Sequence, residues 1–213
     1  VFEKTMTESL RLPATSDLLN AAIRGDKAAA ERALAEGAHV NASDNHGATP
    51  LAWAVRHGDL DLVKMLLARG AERECQDDLG FTPLLGAISI GRTDIAKDLV
   101  GLAFNVGGRG AEGETALILA AGAGDLALVR TLLAAGAGLD AQDCHGRTAL
   151  MTAVRAGRDE TVLALLDAGA GKDLRDFEGR TALIHAVAGG HPGLARELLR
   201  AGADLSIRDA RGR

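Results

Sequence analysis

The chain has 213 residues and a formal net charge of −5, with 47% hydrophobic but only 2% aromatic residues. The net negative charge argues against a general polyanion binder, because counterion-release affinity requires many clustered Lys and Arg side chains. No apolar run approaches the roughly 18 residues of a membrane-spanning helix, so no membrane insertion is expected. A core with so few aromatic rings must use Leu, Ala and Val, which favours closely stacked helices.

Glycines recur along the chain at intervals of 33 residues. One complete series consists of Gly25, Gly58, Gly91, Gly124, Gly157 and Gly190. A fixed period of this length indicates a stack of similar supersecondary units, and such stacks commonly present an extended binding surface. Binding is therefore the first functional expectation.

The N-terminal segment precedes the regular repeats. Phe2, Met6 and Leu10 predict either a short helix over the exposed end of the stack or a frayed tail. The first repeat begins near Ser16 or Asp17 without the Thr-Pro-Leu entry of later repeats, which indicates an N-terminal cap.

The second repeat shows the predicted elements clearly. The Thr49 hydroxyl can cap an inner helix over about 51–57, and Pro50 is tolerated beside it because the first helical N–H groups have no partners anyway. This helix stops at Gly58. An outer helix with a broad apolar stripe follows, and Gly70 supplies its left-handed end.

Between consecutive helix pairs the helical pattern disappears. There the motif Asp-x-x-Gly, as in Asp77 to Gly80, Asp143 to Gly146 and Asp176 to Gly179, is turn chemistry typical of a hairpin tip. We call these hairpins the fingers.

The start of each inner helix repeats a short motif. It reads Gly-Ala-Thr-Pro-Leu from Gly47, Gly-Phe-Thr-Pro-Leu from Gly80, Gly-Glu-Thr-Ala-Leu from Gly113, Gly-Arg-Thr-Ala-Leu from Gly146 and Gly-Arg-Thr-Ala-Leu from Gly179. This resembles the ankyrin repeat, whose consensus is Thr-Pro-Leu-His-x-Ala. The consensus His is kept only as His185, and the resemblance implies that it braces the fold.

The resemblance implies an all-α ankyrin-repeat solenoid of about six helix-turn-helix units with hairpin fingers. Residues 1–16 are then a tail or capping segment, and residues 17–213 form the repeat domain. The approximate units are 17–46, 47–79, 80–112, 113–145, 146–178 and 179–211.

The third unit departs from the pattern. Where other repeats have a glycine, an alanine and a finger aspartate, it has Ala103, Phe104 and Gly110. Alanine in a left-handed position costs roughly 1 kcal/mol relative to glycine, so we expect its outer helix to end differently and its finger to be looser. Neutral drift in one finger would account for these three departures. The functional alternative is a flexible contact loop or a hinge between two three-repeat blocks.

No set of side chains predicts catalysis, a cofactor or a metal. The six histidines are scattered over the repeats. His46 and His145 share a structural position, but they are three repeats apart. The pair His185 and Cys144 has no recognised ligand spacing. Cys75 and Cys144 are two repeats apart, about 20 Å, which predicts free thiols.

In ankyrin arrays the partner usually lies in the concave groove formed by the finger tips and inner helices, and the resemblance implies recognition through this concave face at the matching positions here. The expected partner-binding residues are His46, Trp53, Arg56, His57, Leu79, Phe81, Ile90, Glu112, Glu114, Arg147, Arg155, Arg175, Phe177 and Arg180. Leu79, Phe81 and Ile90 predict an apolar anchor, although Phe81 could instead pack on the adjacent finger. The arginines suit an acidic stretch of the partner, or form a solvated basic face.

These observations predict a monomeric, non-enzymatic protein-binding module that recognises another protein or a peptide segment, without nucleic acid, membrane or cofactor. An inhibitor or immunity-type protein that masks one partner enzyme is an alternative. So is a targeting or scaffold domain cut from a larger protein. A cytoplasmic location is expected, with secreted and periplasmic locations left open.

Overall fold

A computed structural model describes residues 13–212, and over this range the chain forms twelve α-helices in six consecutive pairs. The prediction for the N-terminal tail falls mainly on residues 1–12, outside the described range. The helices are α1 (Pro13–Arg24), α2 (Lys27–Ala35), α3 (Pro50–His57), α4 (Leu60–Ala68), α5 (Pro83–Ser89), α6 (Thr93–Gly101), α7 (Ala116–Ala123), α8 (Leu126–Ala134), α9 (Ala149–Arg155), α10 (Asp159–Asp167), α11 (Ala182–Ala188) and α12 (Pro192–Arg200).

The chain divides into two compact units, the first ending at Asn105 and the second beginning at Val106. In the first unit the inner helices α1, α3 and α5 pack side by side, and in the second α7, α9 and α11 do the same. The division falls in the stretch where the third repeat departs from its pattern. Hinge motion there stays a prediction.

Threonines start the inner helices as predicted. The hydroxyl of Thr49 accepts a hydrogen bond from the N–H of Ala52, and Thr82, Thr115, Thr148 and Thr181 cap their helices in the same way. Because the threonines are buried, their capping hydroxyls satisfy backbone donors that water cannot reach. Helix α1 is the exception: it begins at Pro13, a few residues before the predicted start.

Five of the six outer helices begin in one of two ways. Asp26, Asp59 and Asp125 each accept a hydrogen bond from a first-turn N–H at 2.9 Å. Arg92 and Arg158 replace this aspartate and make no side-chain cap. Instead, Arg92 donates to the carbonyl of His57 at 3.1 Å, and Arg158 donates to the carbonyl of Gly122 at 3.2 Å. These two positions exchange a cap within the helix for a bond to the preceding helix pair.

The end of α6 differs from the prediction. Ala103 takes the left-handed conformation with φ +59°, and it is the only non-glycine residue in 13–212 with a positive φ. The N–H groups of Ala103 and Phe104 donate to the carbonyls of Val100 and Leu99 at 3.1 and 3.2 Å, the pattern that Gly70 and its successor make after α4. The expectation that this helix ends differently is therefore wrong: tertiary contacts hold the alanine in a strained conformation.

Phe104 shows what those contacts are. Its ring is buried, where other repeats place a small alanine, and the guanidinium of Arg73 lies 5.9 Å from the ring centroid. Burial of an aromatic side chain contributes about 1.5–3 kcal/mol, more than the roughly 1 kcal/mol that a left-handed alanine costs. The packing of Phe104 accounts for the retained helix end.

The third finger keeps its backbone turn, so the expectation that it is looser is not supported by its hydrogen bonds. The N–H of Gly110 donates to the backbone carbonyl of Glu114 at 3.0 Å, and the N–H of Gly113 donates to the backbone carbonyl of Gly110 at 2.9 Å. Asp77 and Gly80 make the corresponding bonds in the preceding finger. The finger has lost the aspartate but not the turn.

Candidate partner-binding surface

The finger aspartates organise the surface that we expect to bind a partner. Oδ1 of Asp77 accepts hydrogen bonds from the N–H groups of Leu79 and Phe81 at 3.0 and 2.9 Å. Asp143 and Asp176 make the same two bonds in their own fingers. Each tip is thus held rigid by its own carboxylate, as the Asp-x-x-Gly motif predicts.

The first unit presents exposed apolar side chains. Leu79, on a finger tip, is 66% exposed, and Ile90, at the end of inner helix α5, is 52% exposed. Phe81 is half-buried. Large apolar groups in contact with water favour burial against a second surface.

Trp53 and Arg56 are engaged in bracing the fingers of the first unit. The indole Nε1 of Trp53 donates to Oδ2 of Asp44 at 2.9 Å, and the guanidinium of Arg56 lies 4.9 Å from the indole centroid. Nη2 of Arg56 lies 3.2 Å from Oδ2 of Asp77. Both side chains are half-buried and link α3 to neighbouring fingers.

The two histidines of this surface are exposed. The carbonyl of His46 accepts a hydrogen bond from the N–H of Asp78 at 2.9 Å, which ties two adjacent fingers together. Nε2 of His57 lies 2.7 Å from the carbonyl oxygen of Ile23 and so links α3 to α1.

In the second unit, two of the expected arginines are neutralised by their own fingers. Arg147 pairs with Asp143 at 2.7 Å, and Arg180 pairs with Asp176 at 3.0 Å and with Glu178 at 2.8 Å. Burial acts to raise the pKa of Asp143, but hydrogen bonds from Arg147 and the finger N–H groups outweigh it, so this pKa is lowered. The same opposing effects lower the pKa of Asp176.

The remaining basic and aromatic residues of this surface vary in accessibility. Arg175 is exposed but donates to the carbonyls of Gly179 and Arg208 at 3.1 and 3.0 Å, which braces two fingers. Arg155 is exposed at the end of α9. Phe177 is 76% exposed on a finger tip, and its N–H donates to the preceding finger.

Glu112 and Glu114 line a cavity of about 240 Å³ in the second unit, together with Leu119 and the Asp143–Arg147 pair. Oε2 of Glu114 is the one buried side-chain oxygen or nitrogen within residues 13–212 that has no hydrogen-bond partner. The Glu114 carboxylate lies against Gly110, where a Cβ would be 2.7 Å from its carboxyl carbon. It fills the space that an aspartate at position 110 would need.

His185 has the bracing role that the resemblance implies. Its Nε2 lies 2.9 Å from Oδ2 of Asp176, and the side chain is only 5% exposed. Burial lowers the pKa of His185, and the hydrogen bond to Asp176 only partly opposes that effect. The imidazole is therefore neutral near pH 7 and donates to the carboxylate.

The sequence did not predict a cluster at the finger tips of the second unit. One donor atom each from Glu112, Cys144 and His145 lies within 4.8 Å of the others, and all three residues are exposed. The signal that could have found the cluster is the 33-residue period itself, which places Glu112 and His145 at the same position of neighbouring fingers.

Both cysteines are free, as predicted. Cys75 is half-buried, and burial together with the carboxylates of Glu72 and Glu74 raises the pKa of its thiol to about 11. Its thiol is therefore protonated at neutral pH and is a weak nucleophile.

Over the part of the chain that the structure describes, none of the helices combines the length and the apolar character needed to cross a bilayer.

The chain is similar to a protein family and to several solved structures. A family model described as ankyrin repeats (3 copies) matches four overlapping ranges, 18–107, 54–143, 84–176 and 138–209. An ankyrin repeat domain from Acinetobacter baumannii AYE superposes with a TM-score of 0.80 at 32% identity, covering 88% of this chain and 98% of its own. The ankyrin repeat domain of Bcl-3, a member of the IkappaB protein family, gives a TM-score of 0.83 at 28% identity, covering 92% of this chain and 90% of its own. No curated protein matches the sequence significantly.

Proposed function

The chain belongs to the ankyrin-repeat family, whose repeats are generally protein-interaction modules, and from this premise we propose that it binds a partner protein through exposed finger and inner-helix residues. The observation that carries the proposal is the exposure of Leu79 and Ile90 at two positions where such repeats contact partners. This fold is typically a non-catalytic scaffold, and we propose no reaction for it.

Burial of Leu79 and Ile90 supplies the driving force for binding. Covering a large aliphatic side chain stabilises a complex by about 1.5–3 kcal/mol, and a few such anchors dominate the affinity of most interfaces. Phe81 lies two positions after Leu79 on the same finger, and its half-buried ring offers further apolar area.

Rigidity of the finger lowers the cost of binding. The two hydrogen bonds that Asp77 accepts from the N–H groups of Leu79 and Phe81 fix the tip before the partner binds. Side chains and loops that are already ordered lose little entropy on association. For the same buried apolar area, a preorganised tip therefore binds more tightly than a flexible one.

Fewer of the expected arginines are free to bind an acidic segment of the partner. Arg147 and Arg180 already pair with carboxylates, so contacts with them would have to replace existing ion pairs. Arg155 is the exposed arginine best placed for a partner carboxylate. We propose an apolar anchor on the first unit as the main determinant and charge as a secondary one.

The experiment is affinity capture from a lysate of the source organism with three proteins in parallel. These are the wild type, the variant Leu79→Glu with Ile90→Glu, and the control Leu163→Glu with Leu199→Glu. The control residues are each 42% exposed on outer helices, so it introduces the same charge change away from the proposed surface.

A partner recovered by the wild type and the control, but reduced about 100-fold for the Leu79/Ile90 variant, supports the proposal. Equal recovery by all three proteins contradicts it. Circular dichroism of each variant shows whether the fold is retained. If the captured partner is an enzyme, assaying it with and without this chain tests the inhibitor alternative.

A further inference from the structure

The fingers at Glu112 and at Cys144–His145 bring three different metal-ligating groups together. The carboxylate of Glu112, Sγ of Cys144 and a ring nitrogen of His145 all lie within 4.8 Å of one another. The N–H of Cys144 donates to the carbonyl of Glu112 at 2.8 Å, so the backbone holds the two fingers in register. The grouping therefore rests on a backbone contact and not only on side-chain rotamers.

The chemistry of the donors selects a class of metal. A thiolate, an imidazole and a carboxylate are the ligands of Zn²⁺ and similar borderline cations, whereas Mg²⁺ and Ca²⁺ prefer oxygen alone. In a tetrahedral zinc site with bonds of about 2.0–2.3 Å, neighbouring ligand atoms are roughly 3.3–3.6 Å apart. Sγ of Cys144 is already 3.2 Å from Nδ1 of His145.

The contacts around His145 place a lone pair on Nδ1, the ring nitrogen that contacts Cys144. Nη2 of Arg147 lies 3.2 Å from Nδ1 of His145. Because a guanidinium can only donate, this contact assigns the neutral tautomer with its lone pair on Nδ1. Nε of Arg147 also donates to Oδ2 of Asp143 at 2.7 Å, so Arg147 can release the imidazole without losing its finger contact.

We propose that Glu112, Cys144 and His145 form a three-ligand site for Zn²⁺ or a similar thiophilic divalent cation. Binding replaces the thiol proton of Cys144, which is released to solvent, and the charges of the thiolate and carboxylate then balance the cation. All three ligands are exposed, so water completes the fourth position. The site goes beyond partner binding and does not depend on it.

The test is a cobalt titration of the tag-free 213-residue protein under reducing conditions, followed by displacement with zinc. Co²⁺ bound to a thiolate in tetrahedral geometry gives charge-transfer absorption in the near ultraviolet and strong visible bands. We expect one equivalent of cobalt with both signals, and loss of the signals when zinc is added.

Single substitutions identify the ligands. Cys144→Ser is expected to abolish the charge-transfer absorption, and His145→Asn or Glu112→Gln to weaken cobalt binding at least 10-fold. Cys75→Ser is the matched control because it removes the other cysteine, and it is expected to bind cobalt like the wild type. Since all these side chains except that of Cys75 are exposed, the variants should retain the wild-type circular dichroism.

Two results would overturn the site. One is no charge-transfer absorption in the wild type at millimolar cobalt. The other is absorption that survives Cys144→Ser and disappears in Cys75→Ser.

Discussion

The finger that ends at Arg180 and the finger that ends at Glu114 share one backbone turn but differ in what fills it. Asp176 accepts hydrogen bonds from the N–H groups of Glu178 and Arg180, from the Arg180 guanidinium and from His185. The other finger has Gly110 in place of the aspartate and a buried Glu114 oxygen without a partner. The turn is thus set by its backbone bonds, and the carboxylate adds stability rather than shape.

The largest expected difference between the two fingers comes from deleting each carboxylate. Asp176→Ala leaves several donors without an acceptor, including the buried imidazole of His185, and we expect it to lower the free energy of unfolding by about 3 kcal/mol. Glu114→Ala removes a carboxylate whose buried Oε2 accepts no hydrogen bond, and it should change the free energy of unfolding by less than about 0.5 kcal/mol. Urea denaturation followed by circular dichroism measures both. Equal losses would show that the two fingers do not differ as described.

The converse change should make the weaker finger resemble the stronger one. Gly110→Asp with Glu114→Arg recreates the Asp143–Arg147 pair of the next finger and should raise the unfolding free energy by about 1–2 kcal/mol. Gly110→Asp alone should gain less, because its new side chain meets the Glu114 carboxylate. Comparing the single and double variants by thermal melting tests this order. A single variant as stable as the double would contradict it.

The strained alanine before the third finger gives a smaller effect. Ala103→Gly should raise the unfolding free energy by about 0.5 kcal/mol, because the relief of left-handed strain exceeds the entropy that glycine adds to the unfolded chain. The mirror control is Gly136→Ala, where φ is +83° and nothing lies within 4 Å of an added Cβ. Gly136→Ala should lower the free energy of unfolding by about 1 kcal/mol. If both variants destabilise, the contacts of Ala103 outweigh its strain.

The smallest effect concerns pH and the finger at Asp176. The folded pKa of His185 is lowered below the ordinary value of 6.5, so the unfolded chain binds more protons in the window just below it. The stability due to neutral His185 is complete above pH 6.5 and falls as the pH drops through the folded pKa. His185→Gln should flatten this part of the stability profile between pH 7 and pH 5. An unchanged slope would mean that His185 is not the titrating group.

Much of the fold could be predicted because glycine and threonine act locally. The 33-residue glycine period, the threonine caps and the Asp-x-x-Gly turns depend on residues a few positions apart, and the structure has them where the sequence places them. The end of α6 was mispredicted because Phe104 packs tightly enough to hold Ala103 in a strained conformation. That balance depends on how closely the surrounding side chains pack around the ring, which the sequence does not show.

The candidate surface was harder to predict because it depends on where long side chains reach, both within a finger and between fingers. Arg147 and Arg180 directly follow a finger glycine, where an exposed side chain was expected. Each instead pairs with an aspartate four residues earlier. Glu112 and Cys144 meet only because two repeats stack. The sequence places these residues near one another, but it does not show which rotamers their side chains take and so which pairs form.

Hydrogen exchange of this chain, alone and bound to its captured partner, tests binding through the fingers and inner helices. We expect slower exchange on binding in residues 78–81 and 88–91, around Leu79 and Ile90, with outer helices α4 and α6 unchanged. Protection confined to the outer helices, or none in these two segments, would contradict binding through the fingers and inner helices.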